Sequence, residues 1–296
     1  MTVHQHPLAY LLGLEGIALM RAFAGEHDAA FTRARIEEVR ALLDRAEDFG
    51  DGVDLQPIPV AEGYDSWAPR YDGPGNPFFA LDESVLLPLI DTLPPGDAVD
   101  VMCGTGRYAA HLAQRGHRVR GYDSSPGMLA VARAALPDVE LVVGDVADLP
   151  AADDSADLVV NALAINHVDD LGPALAETAR VLRPGGRLLL CSMPGYFLGS
   201  RLSPLLERDS RGEIGYIPEW DHSTGEILRA ALGAGFAVLD CQELVAAVSA
   251  DEYDGAPEPT PGRAMSIWDL HPWVPVAASA VRDDRVCLVV WHFRLR

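Results

Sequence analysis

Residues 99–107 read VDVMCGTGR, a short apolar strand that runs directly into a glycine-rich turn. Glycines in such a turn let the backbone approach a ligand closely, and the helix that follows presents free N–H groups. Twenty-three residues after Asp100, Asp123 ends the next strand, where a carboxylate can accept hydrogen bonds from both hydroxyls of a ribose. A third acid, Asp145, ends the strand after that. These positions predict a ligand site at the carboxyl ends of neighbouring strands.

Strands and helices alternate along most of the chain. From about residue 97, short apolar strands alternate with helices. This order is typical of a doubly wound α/β sheet with helices on both faces. We predict seven strands, mostly parallel with an antiparallel last strand, preceded by an N-terminal helical extension. The predicted strands are 98–102, 118–122, 139–143, 157–161, 187–193, 236–243 and 285–295.

The domain organisation follows from the helical pattern at the N-terminus and from two long interruptions. We expect two helices in residues 1–50, with Asp28 capping the second and Ile36, Val39 and Leu43 forming its apolar face. Long loops in compact domains are usually functional. We therefore predict an N-terminal helical cap over residues 1–60. A Rossmann-like domain over residues 61–296 would then carry lid or substrate insertions at about 195–221 and 251–281.

Composition excludes several classes of partner. The 23 basic residues, all arginine, stand against 44 acidic residues, which gives a formal net charge of −21. Such a charge repels nucleic acids and anionic membranes, and the apolar runs are too short to span a bilayer. The four cysteines lie far apart and show neither a disulfide framework nor a metal-ligand spacing. We expect a cytoplasmic protein without a metal.

One rival interpretation comes from the glycine turn itself. Residues 104–109, GTGRYA, also satisfy the dinucleotide fingerprint and would suit an NAD(P)-dependent oxidoreductase. Asp145, the RPGG turn at 183–186 and the long connection between the last two strands argue against it. A pyrophosphate also fits poorly beside several carboxylates, whereas a cation fits well.

Five stretches of the chain form a recognisable series. They are VDVMCGTGR (99–107), GYDSSPGML (121–129), VVGDVADLP (142–150), DLVVNALAINHVDDL (157–171) and VLRPGGRLLL (181–190). With these stretches, the chain resembles a class I S-adenosylmethionine-dependent methyltransferase. The resemblance is to the small-molecule subgroup that includes ubiquinone/menaquinone-type and glycine N-methyltransferase-like enzymes, and it covers roughly residues 60–245. Met102 stands where that family usually has glycine or alanine.

The resemblance implies a set of contacts to S-adenosylmethionine. The methionine portion would lie in the glycine turn, the ribose on Asp123, and the adenine beside Met128 and Asp145. The aromatic segment at residues 62–72 is similar to the flap that closes over the cofactor in this subgroup. The residues implied are Tyr64, Trp67, Tyr71, Asp100, Gly104, Thr105, Gly106, Asp123, Ser124, Met128, Asp145, Val146, Asn161 and Ala162.

Methyl transfer from a sulfonium needs alignment and exclusion of water, because the donor brings its own activated methyl group. A hydroxyl or carbon acceptor would also need a general base. His167 follows the fourth strand of the predicted sheet, and His222 precedes a helix at the end of the first insertion. Both are candidate bases, and both could equally be packing residues.

The sequence thus favours transfer of a methyl group to a small organic acceptor, as in specialised metabolism, with O-, N- and C-methylation all open. The alternatives are the oxidoreductase and a non-catalytic cofactor-binding scaffold. The apolar faces of the N-terminal helices must be covered, either by the flap region or by a second subunit in a homodimer.

Overall fold

A computed structural model describes residues 1–73, 76–194, 201–245 and 255–296. The chain divides into two compact units. The N-terminal unit comprises residues 1–57, 214–216 and 245–285, and the sheet unit comprises residues 58–213, 217–244 and 286–296. The sequence predicts that the insertion at about residues 251–281 belongs to the Rossmann-like domain. Its described part lies instead in the N-terminal unit, where the Tyr10 hydroxyl is 2.9 Å from Nε2 of His271.

The secondary-structure elements are as follows in chain order. The strands are β1 (Val3–Gln5), β2 (Val53–Leu55), β3 (Asp97–Val101), β4 (Arg118–Asp123), β5 (Glu140–Val143), β6 (Ala156–Ala162), β7 (Leu182–Ser192), β8 (Leu202–Arg208), β9 (Ile214–Trp220), β10 (Phe236–Val245) and β11 (Val286–Leu295). The helices are α1 (Pro7–Phe23), α2 (Ala29–Asp44), α3 (Ala46–Phe49), α4 (Val60–Trp67), α5 (Pro77–Asp91), α6 (Arg107–Gln114), α7 (Pro126–Ala135), α8 (Leu171–Val181), α9 (Thr224–Gly233), α10 (Ile267–Leu270) and α11 (Pro275–Arg282).

The main sheet has seven strands in the order β10-β11-β7-β6-β3-β4-β5. The pairs β3–β4, β4–β5, β3–β6 and β6–β7 are parallel, and β11 is antiparallel to β7. The predicted doubly wound α/β fold with an antiparallel last strand is therefore confirmed. One boundary differs, because β7 begins at Leu182 and includes the RPGG stretch that was expected to precede it.

Helices cover both faces of this sheet with apolar side chains. On one face, α8 and α9 pack against the sheet through residues such as Leu175 and Ile227. On the other face, α5 and α6 contribute Leu86 and Leu112. The apolar runs of β3, β6 and β7 are buried between these layers, which is why they are continuous rather than alternating.

Side-chain caps fix where the helices begin. Ser125 accepts the N–H of Met128 over 3.0 Å at the start of α7. Ser223 and Glu226 form a reciprocal capping box at the start of α9. Asp28 accepts the N–H of Phe31 over 2.8 Å at the start of α2, as predicted.

The buried face of α2 differs from the prediction. Ile36 is 39% exposed and Leu43 is 53% exposed, whereas Arg35 and Leu42 are buried. The reason lies on α1, where Glu15 is fully buried and bonds to the Arg35 guanidinium over 3.1 Å. A buried carboxylate needs a charged partner, so the helix turns its arginine inward.

The first predicted insertion, 195–221, contains the two strands of a separate sheet, β8 and β9. Residues 195–200 of that insertion, and 251–254 of the second, lie outside the described residues. Across the described ranges, no helix combines the length and the apolar character needed to cross a bilayer.

Candidate active site

Asp100 lies at the carboxyl end of β3 and is 3% exposed. Its Oδ2 accepts the N–H of Ala109, in the first turn of α6, over 2.8 Å. Burial raises the pKa of this carboxyl to about 7, more than the hydrogen bond lowers it. A cationic ligand in the pocket would therefore stabilise the ionised form of Asp100.

Asp123 ends the neighbouring strand, β4, and bridges two loops. Its Oδ2 accepts the N–H of Gly104 over 2.7 Å, and its Oδ1 accepts the N–H of Ser125 over 2.8 Å. These bonds hold the carboxylate between the turn after β3 and the start of α7. Burial raises its pKa, although both backbone bonds oppose that shift. Each oxygen keeps a second lone pair, so the fixed carboxylate can still accept hydrogen bonds from a diol.

The two glycines of the turn have different roles. Gly104 has φ +54°, and a Cβ built there would meet no described atom within 4 Å. Gly104 therefore presents bare backbone to open space, where a ligand can approach. Gly106 has φ +86°, and its Cβ would lie 2.8 Å from Leu136 and 3.3 Å from Ala132. That glycine is needed for close packing of α6 on α7, rather than for ligand contact.

The pocket above these strand ends is lined by residues from four parts of the sheet unit. They come from α4 and the turn after it, the loop after β3 with the start of α6, the end of β4 with α7, and the loop after β6. The lining residues are Val60, Tyr64, Tyr71, Asp100, Met102, Cys103, Gly104, Thr105, Arg107, Tyr108, Asp123, Ser124, Met128, Ala162, Leu163, Ala164 and His167.

Two lining residues have left-handed backbone conformations that non-glycine residues rarely adopt. Met102 and Leu163 both have φ of 57°. Each follows the end of a central strand, β3 for Met102 and β6 for Leu163. The Met102 side chain also packs against the apolar core of the sheet. Strained backbone conformations of this kind are often found at active sites and ligand-binding sites.

Two aspartates hold the aromatic segment at residues 62–72 against the glycine turn after β3 and the start of α7. Asp65 Oδ1 accepts the Ser125 hydroxyl over 2.5 Å and the Gly127 N–H over 2.6 Å. Asp72 Oδ1 accepts the Thr105 hydroxyl over 2.8 Å. One aspartate therefore holds the segment at the α7 end of the pocket, and the other holds it at the glycine turn.

His167 and Tyr64 face one another across the pocket wall. The Nδ1 atom of His167 lies 2.9 Å from the Pro218 carbonyl oxygen, which can only accept, so Nδ1 carries the proton. Its Nε2 is then the acceptor for the Tyr64 hydroxyl at 2.7 Å. Burial lowers the pKa of His167 and raises that of Tyr64. Glu219 Oε1 lies 4.0 Å from the same Nε2.

Arg107 is the one residue with a fixed positive charge in the described lining. Its guanidinium makes two bonds to the fully buried Asp82, at 2.9 and 2.8 Å, and one to Glu83 at 2.8 Å. It also stacks over the ring of Phe79 at 4.3 Å. These carboxylates neutralise the charge that Arg107 would otherwise offer to an anionic ligand.

The structure brings together ten of the predicted site residues and leaves six outside the lining. The ten are Tyr64, Tyr71, Asp100, Gly104, Thr105, Asp123, Ser124, Met128, Ala162 and His167. The six are Trp67, Gly106, Asp145, Val146, Asn161 and His222. Trp67 lies behind the wall, with its ring 5.6 Å from that of Tyr64 and 5.0 Å from that of Tyr71. It supports those two rings rather than facing the pocket.

Asp145 follows β5 at the same edge of the sheet, but its side chain is exposed and Oδ1 accepts the N–H of Ala147 over 2.8 Å. Val146 packs against the core beneath. Asn161 is 4% exposed, and its Oδ1 has no hydrogen-bond partner among the described residues. His222 is 2% exposed, and its Nε2 donates to the Val168 carbonyl over 2.7 Å. That bond secures the loop after β6 and gives His222 a packing role.

Several pocket residues were missed in the sequence. Arg107 and Tyr108 begin α6 directly after the glycine turn, so their position next to the ligand could have been inferred. Leu163 and Ala164 continue the strand end that was predicted at Ala162. Glu219 is not part of the lining but lies 4.0 Å from His167; it is 52 residues further along the chain, and no local sequence pattern indicates it.

Comparisons with known proteins agree on one family. A family model described as a methyltransferase domain matches residues 99–190. The chain is 36% identical over 191 residues to the malonyl-[acyl-carrier protein] O-methyltransferase of Dechloromonas aromatica, which covers 62% of this chain and 68% of that protein. It is 33% identical over 143 residues to the demethylmenaquinone methyltransferase of Renibacterium salmoninarum, covering 47% of this chain. That match spans 60% of the Renibacterium protein, less than two thirds of its length.

Solved structures share the fold. One is an S-adenosylmethionine-dependent methyltransferase from Mesorhizobium loti, with a TM-score of 0.50 and 23% identity, covering 72% of this chain and 97% of that one. Another is the [4+2]-cyclase SpnF, with a TM-score of 0.54 and 19% identity, covering 81% of this chain and 98% of that one. At these identities the likeness establishes the fold alone, and the two neighbours are named for different reactions.

Proposed function

This chain belongs to the class I S-adenosylmethionine-dependent methyltransferases, and we propose that its pocket binds that donor and transfers the methyl group to a small organic acceptor. The observation that carries the proposal is the position of Asp123. Its carboxylate is fixed between the Gly104 and Ser125 N–H groups at the end of β4, beside the open backbone of Gly104.

The residues present fit the donor. S-adenosylmethionine carries a ribose diol, an ammonium group and a sulfonium, and when bound it supplies an electrophilic methyl group. Two partly or fully buried carboxylates, Asp100 and Asp123, complement such a cation. The space over Gly104 is a cradle that any Cβ would fill.

We assign the parts of the donor to the lining residues as follows. Asp100, Gly104 and Thr105 would hold the methionine portion, and Asp123 would accept the ribose hydroxyls. Ser124 and Met128 lie next along the pocket and would contact the adenine, since Asp145 is turned to solvent. Tyr64 and Tyr71 would close over the methionine end, and Ala162 would lie beside the sulfonium.

The chain's own contribution to the reaction is alignment and exclusion of water. The aromatic segment, fastened by Asp65 and Asp72, covers the pocket and shields it from solvent. A negative net charge of −21 supports a small acceptor over a nucleic acid. The malonyl and quinone acceptors in the names of the relatives are also small molecules or small groups on a carrier. The comparisons give no support to the oxidoreductase alternative.

The test is methyl transfer itself. The purified protein is incubated with methyl-labelled S-adenosylmethionine and a panel of phenols, quinols, amines and carboxylic acids, and S-adenosylhomocysteine release is measured. We expect acceptor-dependent release that Asp123→Asn reduces by about tenfold or more, because the amide places a donor against a backbone N–H. Donor binding without transfer across the whole panel would instead support the non-catalytic scaffold.

A cytoplasmic location and a homodimer through the N-terminal helices stay predictions. Phe23 at the end of α1 is 95% exposed and Met20 is 71% exposed, which leaves apolar surface on that helix. Analytical ultracentrifugation of the full chain is expected to give twice the monomer mass of 31.8 kDa. Phe23→Ser should return it to the monomer, and a monomeric wild-type protein would contradict the dimer.

A further inference from the structure

We infer that Glu219 completes a proton relay with Tyr64 and His167, and that this relay suits the pocket to an acceptor that carries a hydroxyl group. The inference rests on the proposed function, since it names the acceptor class for the same site. Glu219 acts through His167 and is therefore a positioning residue. Tyr64, which lines the pocket, is the group that would meet the acceptor.

The hydrogen bonds define the direction of the relay. The Pro218 carbonyl fixes the proton of His167 on Nδ1, which leaves Nε2 as the basic atom. That atom already accepts the Tyr64 hydroxyl at 2.7 Å. An acceptor hydroxyl cannot reach Nε2 without displacing the phenol, but it can donate to the phenol oxygen. Both residues line the pocket, and Tyr64 therefore connects an acceptor hydroxyl to the basic nitrogen of His167.

The transfer balances without any further reactant. As the acceptor oxygen forms its bond to the methyl carbon, the carbon–sulfur bond breaks and its electron pair stays on sulfur. The acceptor O–H proton passes to the Tyr64 oxygen while the Tyr64 proton passes to Nε2 of His167. The products are the methyl ether, the neutral thioether and an imidazolium ion beside Glu219.

Glu219 is placed to stabilise that imidazolium. Its Oε1 lies 4.0 Å from Nε2, and its side chain is 15% exposed against 4% for His167. At this distance and burial an ion pair is much stronger than in water. Besides burial, the negative charge of Asp221 raises the pKa of Glu219, and Tyr71 and Asp123 raise the pKa of Tyr64.

The same environment disfavours the other acceptor classes. A carboxylate acceptor needs a cation, and Arg107 is already bound to Asp82 and Glu83. It would also face the negative charges of Asp100 and Asp123. A neutral amine attacks with its own lone pair and has no need of a relay before the methyl group moves. A hydroxyl group, methylated on its own oxygen or activating a ring carbon by losing its proton, requires the base that the structure provides.

The acceptor class is tested with 2-naphthol, 2-naphthylamine and 2-naphthoate, which present three functional groups on one frame. Binding of S-adenosylhomocysteine is measured first, because its absence would refute the proposed function rather than the relay. With binding established, we expect methylation of 2-naphthol at least about tenfold faster than of either analogue. Equal or faster methylation of the amine or carboxylate, or no methylation of 2-naphthol, overturns the inference.

The part played by Glu219 is tested with Glu219→Gln, and Glu213→Gln on an exposed position nearby is the matched control. Burial raises the pKa of Glu219 to about 7, so the wild-type rate should rise with pH through about 7. In Glu219→Gln that rise should move to lower pH, where His167 titrates, and the plateau should fall about tenfold. S-adenosylhomocysteine affinity and the control should be unchanged. A lower rate with an unmoved pH profile would assign Glu219 a structural role only and overturn the relay.

Discussion

The Tyr64 hydroxyl donates to Nε2 of His167 over 2.7 Å, although the two residues are 103 positions apart in the chain. This bond joins the aromatic segment to the loop after β6 and consumes the lone pair of the base candidate. The histidine that the sequence places at the cofactor crevice is therefore reached through a phenol. We therefore expect both catalysis and closure of the pocket to depend on this contact.

Removing the Tyr64 hydroxyl should separate its expected role in proton transfer from the role of its ring in closing the pocket. In Tyr64→Phe the ring remains to pack against Trp67, but the bond to His167 is lost. We expect turnover of a hydroxyl acceptor to fall by about tenfold or more, with the S-adenosylhomocysteine Kd changed by less than about threefold. Tyr10→Phe is the control, because it removes a similar tyrosine–histidine bond of 2.9 Å outside the pocket lining. Equal losses in both variants would contradict the assignment.

Donor binding should depend on pH through Asp100. Its pKa is raised to about 7 by burial, so below that pH the free protein carries a proton there that a cationic ligand displaces. Affinity for S-adenosylhomocysteine, which carries an ammonium group, should weaken by up to about tenfold per unit as the pH falls below 7. Calorimetry in two buffers of different ionisation enthalpy should show proton release on binding. Asp100→Asn should abolish both effects, and a pH-independent wild-type affinity would contradict this reading.

The contact between Asp65 and the start of α7 should be sensitive to a single methyl group. A Cβ at Gly127 would lie 2.9 Å from the Asp65 Cα and 2.9 Å from its Oδ1. Gly127→Ala should therefore loosen the aromatic segment and lower the free energy of unfolding by about 1–3 kcal/mol. Gly233→Ala in α9 meets open space among the described atoms and should be neutral or stabilising by up to about 1 kcal/mol. Denaturant unfolding of the two variants measures the difference, and equal values would refute the contact.

In the N-terminal unit, the buried ion pair between Glu15 and Arg35 should contribute more to the free energy of unfolding than the exposed apolar residue Leu43 of α2. Arg35→Met removes the guanidinium that pairs with the fully buried Glu15 and with Glu38, and should cost about 3–5 kcal/mol of unfolding free energy. Leu43→Ser, at a residue that is 53% exposed, should change it by about 0.5 kcal/mol or less. The double variant Glu15→Leu/Arg35→Met should recover much of the loss. A larger loss of unfolding free energy in Leu43→Ser than in Arg35→Met would instead support the predicted buried face of α2, which includes Leu43.

Local signals in the sequence were sufficient for the sheet and for the positions of Asp100, Gly104 and Asp123, whereas the resemblance to the methyltransferase family implied the other cofactor-binding residues. Strand periodicity, the cap at Asp28 and the acids at strand ends each depend on a few neighbouring residues. Parallel strands bring their carboxyl ends to one edge. Asp100 and Asp123 therefore had to meet, wherever the rest of the chain lay.

The remaining features depend on distant partners or on backbone conformation. The inward turn of Arg35 is dictated by Glu15 on another helix, and no periodicity in α2 records it. Glu219 and Tyr64 meet at His167 through long-range packing alone. The left-handed backbone conformation of Met102 could not be predicted from the sequence, because glycine is the residue that normally indicates such a conformation.

The most direct test of the account is a calorimetric titration of the purified protein with S-adenosylhomocysteine and, separately, with NADH. We expect S-adenosylhomocysteine to bind at one site per chain, Asp123→Asn to weaken that binding by about tenfold or more, and NADH to give no heat of binding. Binding of NADH in its place, or binding of S-adenosylhomocysteine that Asp123→Asn leaves unchanged, would contradict the central claim that this carboxylate holds the methyl donor.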